Sequence, residues 1–190
     1  MADRAARIIQ KNRGRMMKRG EKYVYITLAA LLAAVITLAL LNRGDSELRR
    51  ALGEMREFLL LVNGEHAATV DLQALLDLTP HGFTTTMSTS IATPREVSLR
   101  GVELRLLLEA YGVDISEASH VTVTGLDGYR SPLSVSEVNA EETIYICFEM
   151  DGEILKPQDE GGYGPYMMAI RGSRFAQRWC KYVESVDVAG

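Results

Sequence analysis

The sequence contains few of the residues that build metal or redox sites. Its 190 residues include only two cysteines, Cys147 and Cys180, and three histidines that lie far apart, His66, His81 and His120. No CxxC, HExxH or EF-hand spacing occurs, nor any paired-cysteine zinc pattern. The residues alone therefore predict no metal ligand set. They leave open whether the two cysteines form a disulfide or remain buried free thiols.

Charge is absent from one long segment. Residues 23–42 contain no charged residue, proline or glycine, and leucine, alanine, isoleucine and valine dominate them. A helix of twenty residues is about 30 Å long, which is close to the thickness of a bilayer's hydrocarbon core. A helix of a protein core is the alternative, but such a helix is rarely apolar on every face for this length. We therefore expect a transmembrane helix over this segment.

Basic residues are concentrated before the apolar segment. Residues 1–22 carry eight basic and two acidic side chains, a net charge of +6, whereas the whole chain carries −4. The positive-inside rule then predicts a cytoplasmic tail and an extracytoplasmic remainder, as in a single-pass protein of the cell membrane. The apolar run is longer than that of a cleaved signal peptide and lacks a small-residue cleavage site, which favours an uncleaved signal-anchor. The acidic remainder argues against nucleic acid as a partner.

The segment that follows the apolar run has a weak helical pattern. In residues 43–57, the side chains of Leu48, Leu52 and Met55 recur at the spacing of one helix face. We expect a juxtamembrane helix here, and a solvated linker is the alternative.

Residues 58–190 are sufficient for one domain with its own core. Asn63-Gly64 and Asp151-Gly152 each separate two short apolar runs, a pattern that predicts β-hairpins with type I′ turns. Many short strands and a few short helices follow one another without regular βαβ alternation. The expected fold class is therefore α+β, with mixed or antiparallel sheets.

A series of motifs runs through residues 57–190. They read "DLQALLDL", "RGVELRLLLEAYGV", "VTVTGLDGYRSPLSVSEV", "IYICFEMDGEILKPQDEGGYGPYMMAIRG" and "RWCKYVESVDV". In this order they resemble the oxidoreductase molybdopterin-binding domain of the sulfite oxidase family. The resemblance implies that family's fold and a molybdenum ion held by a pterin dithiolene and one cysteine thiolate.

The segment that corresponds to the family's metal-bearing segment has no cysteine. The family places that cysteine a dozen or more residues before the Gly-Val-x-Leu motif that begins here at Gly101. This chain has Thr85-Thr86-Met87-Ser88-Thr89-Ser90 there. Since molybdenum is a soft metal that prefers a deprotonated thiolate, a hydroxyl of Ser88 or Ser90 is a poor replacement. The resemblance thus implies a divergent member of the family, for which we assign no catalytic residue and no metal ligand.

The tyrosine of the "LDGY" turn does match the family. The resemblance places Tyr129 at the rim of the metal pocket, opposite the metal-bearing segment. We therefore expect the candidate cofactor-binding residues Thr86, Ser88, Asp127, Gly128 and Tyr129 to line one concavity. Alternatively, the tyrosine only closes a turn in which the aspartate accepts a bond from its own backbone and the glycine has positive φ.

Basic groups for a pterin phosphate are sparse. The family has an arginine shortly after Gly-Pro in the penultimate strand, where this chain has Gly164-Pro165-Tyr166. Arg95, Arg100 and Arg130 are the remaining candidates, and ordinary surface arginines are the alternative.

Two functions follow as expectations. The first is a membrane-anchored, non-catalytic binding or interaction module whose partner is a small anionic ligand, a pterin remnant or an envelope protein. It has no cofactor unless the family's molybdopterin site survives. The second is an active molybdopterin-dependent oxidoreductase that works with an electron-transfer partner in the membrane. The absent thiolate favours the first.

Overall fold

The computed structural model describes residues 23–35, 37, 56–88, 93–173 and 176–190. The chain divides into two compact units, before and after residue 48. In the first unit, residues 23–35 and residue 37 are helical and exposed. Among the described residues no helix has the length and apolar character needed to span a bilayer. The predicted tail, residues 1–22, lies outside the described residues, as do residue 36 and residues 38–55 of the predicted span and juxtamembrane segment.

The described residues of the second unit form ten strands and three α-helices. In chain order they are β1 (Glu57–Val62), β2 (Glu65–Asp71), α1 (Leu72–Asp77), β3 (His81–Met87), β4 (Arg95–Glu103), α2 (Leu104–Ala110), β5 (His120–Gly125), β6 (Arg130–Leu133), α3 (Val135–Asn139), β7 (Ile144–Met150), β8 (Glu153–Ile154), β9 (Met167–Ile170) and β10 (Val183–Ala189). Two 3₁₀ turns, Gln158–Glu160 and Ala176–Arg178, lie between the later strands. The predicted α+β class is confirmed.

The strands form two sheets. The first has the order β2-β1-β10-β5-β6, in which β1 and β10 are parallel and the other neighbours antiparallel. In the second sheet, β3 pairs with β4, and β4 pairs with β7. Both β8 and β9 pair with β7 as well, and all four pairings are antiparallel. Residues 56 and 57, the end of the predicted juxtamembrane segment, form a turn and the start of β1.

Both predicted hairpin turns have the backbone that their sequences favour. Asn63 has φ 53° and Gly64 has φ 77°, and Asp151 and Gly152 have φ 54° and 84°. Positive φ at both central residues is the condition for a type I′ turn. Local turn chemistry therefore fixes β1 against β2 and β7 against β8.

The Gly-Val-x-Leu motif has a structural explanation. Gly101 lies where the register between β4 and β7 shifts by one residue. A Cβ at this position would lie 2.3 Å from the carbonyl oxygen of Ile146, closer than any side chain permits. Only glycine therefore fits this close approach of two strands.

The core lies between the sheets and the helices. On α2, Leu104, Leu107 and Leu108 are buried on one face of the helix. In the first sheet, β10 buries Val186 and β1 buries Leu60, both fully. The buried apolar residues form a single cluster that includes strands of both sheets.

Candidate functional site

The predicted tyrosine turn connects β5 to β6. Asp127 Oδ1 accepts a hydrogen bond from the backbone N–H of Tyr129 at 3.0 Å, and Gly128 has φ 81°. The backbone N–H of Gly125 donates to the Tyr129 carbonyl at 2.8 Å. This is the local turn chemistry that the alternative interpretation of the motif described. It holds the tyrosine ring at the surface, where 40% of the residue is exposed.

The Tyr129 hydroxyl is engaged by the chain itself. It donates to the backbone carbonyl of Gln177 at 2.6 Å. Gln177 is the middle residue of the 3₁₀ turn Ala176–Arg178, which we call the strap. A bond this short to a neutral carbonyl occupies the group that the resemblance assigns to a substrate oxygen.

The strap also contacts the segment after β3. Ser88 is half-buried, and its backbone carbonyl accepts from the N–H of Ala176 at 3.1 Å. Thr86 lies two residues earlier on β3, with an exposed side chain. The structure thus joins Ser88 and the tyrosine turn to adjacent residues of one short strap, Ala176 and Gln177. That all five candidate residues line one concavity stays a prediction.

Arg178 fixes the strap to β6 and α3, which follow the tyrosine turn in the chain. Its guanidinium donates to both carboxylate oxygens of Glu137 on α3, at 2.6 and 3.3 Å, and to the carbonyl of Pro132 at 3.1 Å. Its own carbonyl accepts from the buried Ser131 hydroxyl at 2.7 Å. Since bidentate charged hydrogen bonds are the strong ones, this pair is the main anchor of the strap.

Glu137 has two roles in this anchor. It is the third residue of α3 and forms a capping box with Ser134. The Ser134 hydroxyl accepts from the backbone N–H of Glu137, and the Ser134 backbone N–H donates to the Glu137 carboxylate. The hydrogen bonds from Arg178 and Ser134 lower the pKa of Glu137 to about 2. The carboxylate is therefore ionised at neutral pH, as the ion pair requires.

Neither cysteine offers a thiolate. Cys147 is fully buried on β7, and burial raises the pKa of its thiol. Cys180 follows the strap, and burial, with a smaller effect of Asp127 and Glu184, raises the pKa of its thiol to about 12. The two are free rather than disulfide-bonded. At neutral pH both are protonated and poor metal ligands.

The donor set does not fit a molybdenum ion held by a protein thiolate. Among the candidate residues, Thr86, Ser88 and Tyr129 offer neutral hydroxyls, and the last of these already has a protein acceptor. Among the described residues no group of three or more His, Cys, Asp or Glu side chains is arranged to hold a metal ion. We therefore derive no chemical step through the metal.

Two of the three candidate arginines are paired elsewhere. Arg95 lies 2.9 Å from Asp151, and Arg100 lies 3.4 Å from Glu149. Both pairs are on the second sheet. Arg130, at the start of β6, is exposed beside the tyrosine turn. Arg95 and Arg100 are therefore surface arginines in ion pairs, as the alternative interpretation of the sequence held.

Three concavities lined by described residues lie away from the tyrosine turn. The largest, about 460 Å³, is lined by residues from α2 and the loop after it together with Asn139, and another of about 310 Å³ lies along β8. The third, of about 10 Å³, lies beside Tyr166. None of these three includes a predicted site residue.

The sequence analysis missed the residues that hold the strap. Ser134 and Glu137 carry a visible capping-box spacing, but nothing local pairs Glu137 with Arg178, 41 residues later. Tyr129 and Gln177 are 48 residues apart. Contacts of this kind follow from the topology, which the motif order alone could not supply.

Comparison with known proteins identifies the fold's class. Residues 54–190 match the model of the family described as oxidoreductase molybdopterin binding domain. The chain therefore belongs to this family, and the predicted resemblance is confirmed.

One solved structure shows the same backbone arrangement. It is the sulfane dehydrogenase SoxCD from Paracoccus pantotrophus, which is similar with a TM-score of 0.59 and 16% sequence identity. The similarity covers 72% of this chain and 39% of that chain, so this chain spans well under half of the other's length. At this identity the likeness concerns the fold alone. No curated protein is significantly similar in sequence.

Proposed function

We propose that this chain is a non-catalytic member of its family that serves as a binding or interaction module. The observation that carries the proposal is the state of its two thiols. Cys147 and Cys180 are buried and protonated, and the segment from Thr85 to Ser90 contains no cysteine. Without a thiolate, the family's redox chemistry has no protein ligand for its metal.

The tyrosine turn supports the same proposal. A catalytic tyrosine must present its hydroxyl to a bound substrate, whereas Tyr129 donates to Gln177. The neutral hydroxyls and backbone groups nearby suit a polar ligand that is bound and released unchanged. A small anionic ligand or an envelope protein is the partner that this chemistry favours, and Arg130 is an exposed cation at the start of β6, beside the turn.

Elemental analysis of the purified chain tests the proposal. We expect molybdenum far below one atom per chain in a host that makes molybdopterin and loads a thiolate-bearing relative in parallel. The variant Ser88→Cys restores a thiol at about the family's position and reports whether a pterin site survives. Wild-type protein with close to one molybdenum per chain and a pterin released on denaturation would overturn the proposal and favour an active oxidoreductase.

We also propose that residues 23–42 anchor the chain in the cell membrane, with the second unit outside the cytoplasm. The support is the uncharged run and the excess of basic residues before it. One kind of reporter enzyme is active only outside the cytoplasm. When it is fused after Gly190, we expect enzyme activity. A cytoplasmic reporter in the same position should be silent, and the reverse pattern would contradict the orientation.

A further inference from the structure

The strand β3 is an edge strand without the usual protection. Its neighbour among the described strands is β4, and the register between them runs unbroken from His81 to Met87. Residues 82–87 carry no charge and no proline. The other edges formed by described strands are short or blunted. In the first sheet, β2 has acidic residues at both ends and a register shift opposite it, and β6 contains Pro132. In the second sheet, β8 has only two residues and β9 is bridged to Cys180. Proteins normally protect long regular edges by such devices.

The direction of the β3 backbone follows from its neighbour. The Ser98 N–H donates to Asp151 Oδ1 at 2.9 Å, and the Ser98 carbonyl accepts from the Asp151 N–H at 2.7 Å. Both backbone groups of Ser98 therefore point away from β3. Since Thr84 lies opposite Ser98, the two form a non-hydrogen-bonded pair. The N–H and carbonyl of Thr84 consequently point to the open side.

The same alternation orients the residues on either side. Gly82 and Thr86 point their backbone groups outward with Thr84, and the side chains of Thr84 and Thr86 lie on the same exposed face as the Cα of Gly82. The next outward position is Ser88, whose carbonyl is already taken by Ala176. The open edge therefore extends from Gly82 to Thr86. Within the described part of the chain, no backbone or side-chain bond reaches it from outside the β3–β4 pair.

We propose that this edge pairs antiparallel with β3 of a second copy of the chain, about a twofold axis at Thr84. In that register Thr84 faces its counterpart, and Gly82 faces Thr86 of the other copy. Each such pair exchanges two backbone hydrogen bonds. On the exposed face, two threonines meet at the axis, and each glycine leaves room for the threonine opposite it.

The composition of the edge favours an identical strand as its occupant. On this face β3 itself offers only hydroxyls and a glycine, so it has no charge of its own to attract a basic or acidic peptide. The neighbouring strand β4 places exposed Arg100 opposite Gly82 and exposed Glu96 opposite Thr86. Because Gly82 of one copy faces Thr86 of the other, the flanking charges of the two copies are of opposite sign in the proposed register and do not repel. A single strand pair buries less than the roughly 800 Å² per partner of a standard interface. We therefore expect a concentration-dependent dimer that dissociates on dilution.

Cysteine crosslinking of the full-length chain tests the register. The variant Thr84→Cys places two thiols at the axis, within the range of Cα separations that a disulfide spans. The native thiols are buried and do not compete. Mild oxidation should give a covalent dimer with Thr84→Cys but not with Ala67→Cys, an equally exposed position on the edge strand β2. Equal crosslinking of both variants, or none with Thr84→Cys, would overturn the proposal.

A charge exchange separates self-pairing from other occupants. Thr84→Lys and Thr84→Glu each bring like charges together at the axis, so each chain alone should lose the dimer in light scattering. An equimolar mixture of the two should regain it, while Ala67→Lys should dimerise as wild type does. Circular dichroism checks that each variant is folded. A dimer that survives either single substitution, or a Thr84→Cys chain that crosslinks only to a different protein, would rule the twofold pairing out.

Discussion

The hydroxyl of Tyr129 is hydrogen-bonded within the chain, although part of the ring is exposed. The hydroxyl donates to the Gln177 carbonyl at 2.6 Å, and the N–H of Tyr129 is fixed by Asp127. The first bond joins the strap to the tyrosine turn, whereas the second is internal to the turn. The two can therefore be separated by experiment.

The variant Tyr129→Phe removes the bond to the strap and keeps the ring. We expect a loss of about 0.5–1.5 kcal/mol in the free energy of unfolding, the usual net value of one hydrogen bond. Chemical denaturation measures it. Tyr163→Phe is the control, because its ring keeps the contact with Lys181. Equal stability of Tyr129→Phe and wild type would mean that the strap is held without the tyrosine.

The ion pair of Glu137 and Arg178 predicts a dependence on pH. The pKa of Glu137 falls from its usual 4.5 to about 2 in the folded chain. Above pH 4.5 the carboxylate is ionised in both the folded and the unfolded state, so the pair contributes fully. As the pH falls from 4.5 towards 2, the unfolded chain binds the proton first and the contribution is lost.

The variant Glu137→Gln isolates this effect. Because the side chains of Glu137 and Arg178 are 35% and 47% exposed, solvent screening limits the contribution of the pair to about 1 kcal/mol. The stability difference between wild type and variant, measured by urea unfolding, should shrink between pH 6 and pH 2. For Glu117→Gln, an exposed carboxylate, we expect no such trend. A constant difference across this range would contradict the assigned cause.

At the scale of elements, α2 contributes most of its bulk to the core. Leu104 and Leu107 are fully buried, and Leu108 on the same face of the helix is buried as well. Leu107→Ala should destabilise the domain by about 2–5 kcal/mol, as large-to-small core substitutions do. Leu76→Ala on α1 is the control, since that residue is 39% exposed. An unchanged melting temperature of Leu107→Ala would remove α2 from the core.

The elements that sequence reasoning predicted are those fixed by local chemistry. Positive φ at Asn63 and Gly64, and the capping by Asp71 and Ser134, act over two to four residues. The apolar spacing on α2 is equally local. The turn signals located both hairpins from the sequence alone, because each depends only on neighbours in the chain.

The parts that could not be predicted join distant residues. No local pattern says that β1 pairs with β10, or that the strap reaches both Tyr129 and Ser88. For the candidate site, the sequence identified the tyrosine turn and the absent thiolate. It could not reveal that the turn's hydroxyl is bound by the chain itself, because that acceptor is a backbone carbonyl that any residue could supply.

At the scale of the molecule, the first sheet joins the two ends of the domain. β10 is its central strand, with β1 on one side in parallel and β5 on the other. Removal of residues 183–190 leaves both neighbours without their shared partner, so we expect no protease-resistant domain. Removal of Gly190 alone loses only its bond to Asn63 and should be tolerated. A resistant domain in the longer truncation would show that the sheet closes without β10.

The place of β10 also sets an order for biosynthesis. While the chain is being made, β1 and β5 exist long before the strand that separates them, and neither can acquire its final partner until β10 has emerged. The second sheet has no such wait, since β9 completes it earlier. A nascent chain that stops short of β10 carries one finished sheet and one with two bare inner edges. Unpaired strand edges of this kind are what makes incomplete chains prone to aggregate, so the domain is exposed to that hazard until its last strand has been made.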